Sequence, residues 1–408
     1  MRILLATMYF PPAGGAGVHR PLKLAGHLAD LGHQVHVIAP DDPKWVHRDE
    51  SLREPVGVAV HRVRNVGPPA RLARDVLYGA RPFERLGVRA LVAFRRVLVP
   101  DASVLWSAAA AVGAIRLVRR HGIDVVVTTS PPISVNLVGL AAKRATGVRW
   151  VADLRDSFLT PDRRRHVRGE RRLARLVARY ADAIATATRG IGDEMRALAP
   201  RGPVEVIENA CDFEEFEGLS YRPGERFRLT HTGSFVSRRE ARTFFEALAR
   251  TNGATVARFV GGLRAADEPF IRELELGERL EVVPFQPHDR TLALQRDSEA
   301  LLLLLADAGE AGRKILSAKV FEYLAAGRPI LAVVPPDGEA AALVRETGAG
   351  IVVAPDDVEG IAGAIGELER RWRAGELGPV ELSPELRERL SRRERAERLE
   401  RLLEQVVT

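Results

Sequence analysis

The chain has 408 residues, enough for two or three domains that each bury a core of their own. Hydrophobic residues make up 46% and charged residues 28%, which excludes a disordered chain, and no run approaches the roughly 20 apolar residues that would span a bilayer. A single cysteine, Cys211, excludes an internal disulfide and a thiolate metal cluster, and it suits a reducing, cytoplasmic setting.

The net charge of +7 hides an asymmetry. Residues 1–200 hold 32 Lys and Arg against 17 Asp and Glu, whereas the remainder holds 29 against 37. A basic half joined to an acidic half implies that one part of the molecule meets something anionic: nucleic acid, a membrane surface or a phosphorylated substrate. Nucleic acid fits poorly, because aromatics are only 6% and neither a helix-turn-helix nor a zinc finger is present.

In chain order, the opening RILLAT predicts a first strand rather than a signal peptide. QVHVIAP, DVVVTTS, RWVADL and AIATAT follow, separated by helix-length segments such as HRPLKLAGHLADLG. These strands are nearly continuous apolar runs, as expected where helices cover both faces of a parallel sheet. The alternation restarts after residue 225 with FRLTHTG, ATVARFVG, LEVVPF, ALLLLLA, PILAVVP and GIVVAP. Two successive β/α alternations predict an α/β chain of two doubly wound domains. The expected layout is a first domain over 1–212, a polar connection over 213–226, a second domain over 227–385 and a charged helical tail over 386–408 that packs back toward the first domain.

Four stretches could carry chemistry. YFPPAGGAGVHR follows the first strand, and its Gly14, Gly15, Ala16 and Gly17 let backbone approach a ligand just before a helix N-terminus. A dinucleotide fingerprint would need G-x-G-x-x-G. Here Arg20 stands where the last glycine would be, although Asp41 and Asp42 lie near the place of a ribose-binding acid. A dinucleotide oxidoreductase and a simple glycine turn both stay open. In RWVADLRDSF, Asp153, Arg155 and Asp156 crowd the carboxyl end of a strand, where they could bind hydroxyls or a phosphate, or form a local ion pair and helix cap.

In LTHTGSFVSRRE, a strand ends at Gly233 and Ser234, and Arg238 and Arg239 open a helix. Arginine there opposes the helix dipole, while its fixed fork of donors suits a diphosphate. In LSAKVFEYLAAGRP, Lys319 and Glu322 are three apart and share a helix face. They are either an ordinary ion pair or a phosphate-binding ammonium beside a carboxylate that accepts from a ribose diol.

Taken together, the order and spacing of these stretches resemble the retaining glycosyltransferases of family 4, which have the GT-B architecture of two Rossmann-like domains facing across a cleft. The resemblance runs over nearly the whole chain, through the opening β-loop-α-β unit, VVVTTSPP, VADLRDSF, VIENACDFEEF, LTHTGSF and SAKVFEYLAAGRPILAV. The SPP and DLRD elements look most like members that build capsular, O-antigen and related surface polysaccharides.

The resemblance implies a nucleotide-diphosphate sugar as co-substrate, no other cofactor and no metal. Gly14, Gly15, Ala16, Gly17, Gly233, Ser234, Arg238, Arg239, Ser317, Lys319 and Glu322 would bind the donor, with Glu322 on the ribose. Ser130 and Arg155 would meet a glycan, lipid-linked or small-molecule acceptor. Asp153, Asp156, Arg239 and Lys319 would act at the reacting centre, by a front-face attack in which the leaving diphosphate takes the acceptor's proton. PFQPHDR lies where the family contacts the base.

Two departures stand out. Ser234 and Arg239 occupy the places of an expected Arg and Lys, and Lys314 replaces the first Glu of E-x7-E. They leave a catalytically impaired nucleotide-sugar-binding protein open as a reading, beside a nucleotide-sugar epimerase on the same fold.

Two predicted helices carry arginine stripes. Arg85, Arg89 and Arg96 fall within about 40° of one another opposite Leu91, Phe94 and Leu98. Arg168, Arg172, Arg175 and Arg179 stand opposite Leu173 and Val177. Either stripe is a solvated outer face or a contact with anionic lipid at the inner face of a membrane.

Overall fold

The computed structural model describes residues 1–42, 48–68, 84–158, 167–233, 240–264, 267–307 and 309–408. The chain divides into two compact units, Met1–Glu208 with Arg395–Thr408, and Asn209–Glu394.

Among the described residues, seven parallel strands build the first unit: β1 (Arg2–Thr7), β2 (Gln34–Pro40), β3 (Val58–Val63), β4 (Val125–Ser130), β5 (Arg149–Leu154), β6 (Ala183–Thr186) and β7 (Val204–Val206). Their order is β3-β2-β1-β4-β5-β6-β7, so the direction of winding reverses between β1 and β4. The helices are α1 (His19–Asp30), α2 (Glu84–Val97), α3 (Val104–His121), α4 (Asn136–Thr146), α5 (Val167–Tyr180) and α6 (Arg189–Arg196). All six residues of β4 are buried, which is why its sequence is apolar or small throughout. The edge strands β3 and β7 are half-exposed, so neither shows the continuous apolar run that announces the inner strands.

Helix packing settles the two arginine stripes differently. On α5, Leu173, Ala174, Val177 and Ala178 are buried, and Arg168, Arg172, Arg175 and Arg179 are exposed. That stripe is the outer face of a well-packed helix. On α2, by contrast, Phe94 is 46% and Val97 71% exposed, beside exposed Arg89 and Arg96. The side chain of Arg85 lies outside the described residues.

The second unit is a six-stranded parallel sheet of β8 (Arg228–Thr232), β9 (Val256–Val260), β10 (Leu280–Val283), β11 (Ala300–Leu304), β12 (Ile330–Val333) and β13 (Gly350–Val353). Its order, β10-β9-β8-β11-β12-β13, repeats the topology of the first and reverses between β8 and β11. Its helices are α7 (Glu240–Arg250), α8 (Glu268–Glu273), α9 (His288–Arg296), α10 (Glu310–Arg313), α11 (Ala318–Ala326), α12 (Glu339–Glu346), α13 (Val358–Arg373) and α14 (Pro384–Arg389). The polar stretch after residue 212 buries Phe213 and Phe216 in this unit's core. Helix α15 (Arg392–Val407) supplies Ala396, Leu399, Leu402, Leu403 and Val406 to the core of the first unit. No helix among the described residues is long and apolar enough to cross a membrane.

Candidate functional site

In open parallel sheets, ligands bind beyond the carboxyl ends of the strands where the strand order reverses. Each unit places a cluster of the singled-out residues at that point.

In the first unit, the loop after β1 carries Gly14, Gly15, Ala16 and Gly17 into α1. Gly15 has φ +92°, and a Cβ on Gly17 would meet the Tyr9 ring at 3.1 Å, so these positions accept little else. The N-terminus of α1 has no capping side chain and no acid in its first turn. Ser130 ends β4 and is buried, and its carbonyl accepts from the backbone N–H of Arg155 at 3.3 Å and from Arg155 Nε at 2.8 Å. Arg155 Nη1 donates to the Gly17 carbonyl at 3.0 Å, so one guanidinium ties the glycine loop to the end of β4. The remaining nitrogen, Nη2, is buried and has no hydrogen-bond partner.

Asp153 is fully buried, and its carboxylate is already bonded. Oδ1 accepts from Arg20 Nη2 at 2.7 Å, while Oδ2 accepts from Arg20 Nε at 3.0 Å and Thr129 Oγ1 at 2.7 Å. Burial alone would raise this carboxyl's pKa, but Arg20 and Thr129 hold it below the usual carboxylate range. Arg20 also donates to the carbonyls of Ile207 and Glu208, at 2.9 Å each. The arginine that breaks the dinucleotide fingerprint is therefore the partner of Asp153, and the pair locks α1 to β5. Asp156 is exposed. Asp41 accepts from the backbone of Asp42 and Asn65, shaping its own turn.

In the second unit, β8 delivers His231, Thr232 and Gly233, and α11 delivers Lys319 and Glu322. Ser317 caps α11 by accepting from the Lys319 N–H, and Gly327, with φ +63°, ends the helix before Pro329. Lys319 lies over Gly233, where φ is +99° and a Cβ would sit 2.8 Å from the lysine Cε. Lys319 Nζ is 3.4 Å from His231 Nε2, and His231 Nδ1 donates to the Leu302 carbonyl at 2.9 Å. Burial, reinforced by the Lys319 charge, pushes His231 well below the usual imidazole range. The ring is neutral, with its Nε2 lone pair turned to the ammonium.

Glu322 accepts from Gln295 Nε2 at 3.2 Å, and the same amide donates to Thr232 Oγ1 at 3.0 Å. The Thr232 N–H in turn donates to the Tyr323 hydroxyl at 2.9 Å, and burial pushes that phenol up to about 12. Gln295 Oε1 is buried without a partner, a deficit of about 1–3 kcal/mol that a donor group on a ligand would remove. His288, from the PFQPHDR stretch, has a ring nitrogen within 4.8 Å of a Glu322 oxygen. Burial lowers its pKa, but the bond to Glu215 and the charge of Glu322 outweigh that and raise it.

The structure thus brings Gly233, Ser317, Lys319 and Glu322 together in one unit, and Gly17, Ser130, Arg155 and Asp153 in the other. Ser234, Arg238 and Arg239 lie outside the described residues. Lys314 pairs with Glu310 at 2.7 Å, the i,i+4 contact of a short helix. His231, Gln295 and Arg20 escaped the sequence reading. His231 lies inside LTHTGSF, a stretch read for its Gly233 and Ser234, and Gln295 lies in a helix without a motif of its own; only packing aims them. Cys211 is buried with its thiol pKa raised, which gives it no thiolate chemistry.

Residues 14–210 match the family described as glycosyl transferase 4-like domain. Among solved structures, the chain is similar to a sucrose-phosphate synthase from Thermosynechococcus elongatus, with 16% identity, 99% and 98% of the two chains covered and a TM-score of 0.70. It is also similar to Anabaena HepE in complex with UDP and glucose, at 15% identity, 99% and 100% coverage and a TM-score of 0.68. An α,α-trehalose-phosphate synthase from Burkholderia xenovorans in complex with glucose-6-phosphate aligns at 14% identity, 99% and 100% coverage and a TM-score of 0.64. No curated protein matches the chain in sequence. The first unit thus matches a glycosyl transferase 4-like domain over nearly its whole length, and the two parallel sheets share the GT-B fold of these glycosyltransferase structures.

Proposed function

We propose that the chain moves a sugar, with retention of configuration, from a nucleotide-diphosphate sugar to an acceptor hydroxyl in the making of a surface glycan or glycoconjugate. The observation that carries the donor half is the pairing of Lys319 with a side-chain-free Gly233 and of Glu322 with Gln295 at the reversal point of the second sheet. An ammonium over a glycine turn suits a diphosphate, and a carboxylate already held by one amide suits a ribose diol. Ser317 keeps the first turn of the helix in place. Ser234, Arg238 and Arg239 are assigned to the diphosphate on sequence alone.

Gly14, Gly15, Ala16 and Gly17 are assigned to the donor on the family resemblance alone. Ser130, Arg155 and Asp156 meet the acceptor, and Asp153 acts through Arg20 rather than as a base, because both its oxygens are bonded. A front-face reaction needs no carboxylate nucleophile. The leaving diphosphate takes the acceptor's proton, and catalysis rests on positioning and on stabilising the charge that develops on that diphosphate. The HepE complex with UDP and glucose makes UDP the first nucleotide to try.

Lys314 favours a second reading, a nucleotide-sugar binder without turnover, since it stands where the family resemblance implies a Glu and is paired with Glu310. The exposed Phe94 and Val97 among the arginines of α2 add a peripheral contact with anionic lipid. The deciding experiment is a thermal-shift panel of UDP, GDP, ADP, CMP and dTDP sugars, followed by a mass-spectrometric assay of transfer and donor hydrolysis. Stabilisation with turnover supports the transferase, tight binding without turnover supports the second reading, and no nucleotide effect removes both.

A further inference from the structure

We propose that the first unit contains an anion subsite built on Arg155, and that the acceptor carries a phosphate group there. The word "acceptor" rests on the transferase reading; the anion subsite itself does not.

Two of the three Arg155 nitrogens are fixed on the carbonyls of Ser130 and Gly17, and these bonds leave the guanidinium one orientation. The third, Nη2, is buried with no partner. A buried cationic donor left unmade is costly, and a protein that needed only to tie the glycine loop to β4 could do so without a charge. Burial is accordingly the leading influence on this group and lowers its proton affinity, with the carboxylates of Asp153 and Asp156 only partly opposing it.

Among the described residues, nearby acids do not supply the missing partner. Asp153 is bonded to Arg20 and Thr129, Asp101 accepts from Ser103 and Ser134, and Asp156 is exposed and forms no ion pair with Arg155. Arg95 and Arg155 both sit close enough to Tyr9 for their charges to be felt at its phenol, and the uncapped N-terminus of α1 leads out of the same glycine loop. A tetrahedral oxyanion fits this arrangement. One oxygen takes the Arg155 Nη2 hydrogens, and the others are left to water.

The test uses the full chain with UDP saturating, so that the nucleotide site is filled. Inorganic phosphate is titrated at constant ionic strength, with chloride as the balancing ion, and the melting temperature is followed for wild type, Arg155→Lys, Arg155→Gln and the remote control Arg168→Gln. The subsite predicts a saturable rise in wild type and Arg168→Gln, and a loss of about tenfold or more in apparent affinity in both Arg155 variants. A wild-type protein that ignores phosphate overturns the proposal whatever the variants do. So does a phosphate effect that survives both Arg155 changes.

UDP binding is measured separately. If Arg155→Gln weakens UDP about as much as phosphate, the anion is the donor's own diphosphate and the acceptor assignment fails. If phosphate acts through Arg155 while UDP does not bind at all, the subsite stands and the donor reading fails. Phosphatidylcholine vesicles with and without phosphatidic acid separate the sources. Arg155-dependent capture identifies a lipid phosphate, and a response to phosphate in solution alone identifies a soluble phosphorylated acceptor.

Discussion

His231 Nε2 lies 3.4 Å from Lys319 Nζ, and the imidazole is held with its lone pair toward the ammonium because Nδ1 donates to the Leu302 carbonyl. The lysine that the sequence offers as a phosphate ligand therefore rests on a buried neutral base, with its stem against Gly233. On the proposed function, Lys319→Met lowers kcat/KM for the donor about 100-fold, the scale of removing one preorganised charge-stabilising donor. His231→Phe keeps the ring volume but removes the acceptor, and costs about tenfold, mostly in kcat. Steady-state kinetics on both variants checks this, and wild-type rates in Lys319→Met would remove that residue from the site.

Glu322 is expected to read the ribose. If so, 2′-deoxyuridine diphosphate binds wild type about tenfold more weakly than UDP, the worth of one hydrogen bond to a charged group. Glu322→Ala binds the two nucleotides equally. Gln295→Leu, which leaves the carboxylate without its amide, gives an intermediate preference. Calorimetric titration resolves all three, and an undiminished preference in Glu322→Ala would place the ribose elsewhere.

The first unit carries a histidine stack that makes it acid-sensitive. His36 Nδ1 lies 3.0 Å from His61 Nε2, and the His121 ring centroid is 4.7 Å from that of His36. Burial first, and then the neighbouring His121, lowers the pKa of both His36 and His61. The neutral forms are favoured in the native state and the unfolded chain binds more protons, so this stabilisation is present above about pH 6.5 and lost as pH falls through the lowered native values. His231 acts in the same direction in the second unit. Melting temperature followed from pH 7.5 to about 5 should fall, and His61→Gln should flatten the slope. An unchanged slope in that variant would assign the acid sensitivity to other groups.

Gly139 lets α4 lie directly on Trp150. A Cβ there would sit 2.1 Å from the indole Nε1, which donates to the Thr128 hydroxyl at 2.9 Å, and both partners are buried. Gly139→Ala should improve helix propensity and still destabilise by about 1–3 kcal/mol, because overpacking displaces the ring and breaks its bond. Denaturant unfolding measures the difference, and a stabilised variant would show that the interface yields.

Membrane contact, if it uses α2, depends on Phe94 and Val97. Flotation with vesicles rich in anionic lipid at low salt should capture wild type and lose most of it in Phe94→Asp with Val97→Asp. Neutralising Arg172 and Arg175 on α5 should matter less, since that helix already buries its apolar face in the first unit. Equal capture of every form by neutral vesicles would argue against the charge-assisted contact.

Much of the architecture was legible in the sequence because a parallel sheet covered on both faces demands continuous apolar runs, and eleven such segments coincide with strands, among them β10 and β13 at the edges of the second sheet. The strands that escaped, VAVHRV of β3 and VEV of β7, lie at the two edges of the first sheet, where one side of the strand is unpaired and the burial pattern thins. The charged tail was visible as an amphipathic helix. Which core receives it was set by the docking of Leu399, Leu402 and Leu403, a contact far along the chain.

The site shows the same division. Ser317, Lys319 and Glu322 could be found from sequence because a capped helix fixes their relative placement within a turn or two. Gly233 announced itself as a strand-ending glycine. Sequence could not show that Asp153 is bonded to Arg20, 133 positions away, or that Gln295 holds Glu322 and His231 faces Lys319. Local spacing determines which groups share a helix face or a turn, since backbone geometry propagates over only a few residues. Which buried carboxylate is spent and which guanidinium nitrogen is left over depends on strand order, and strand order is decided by the packing of whole units.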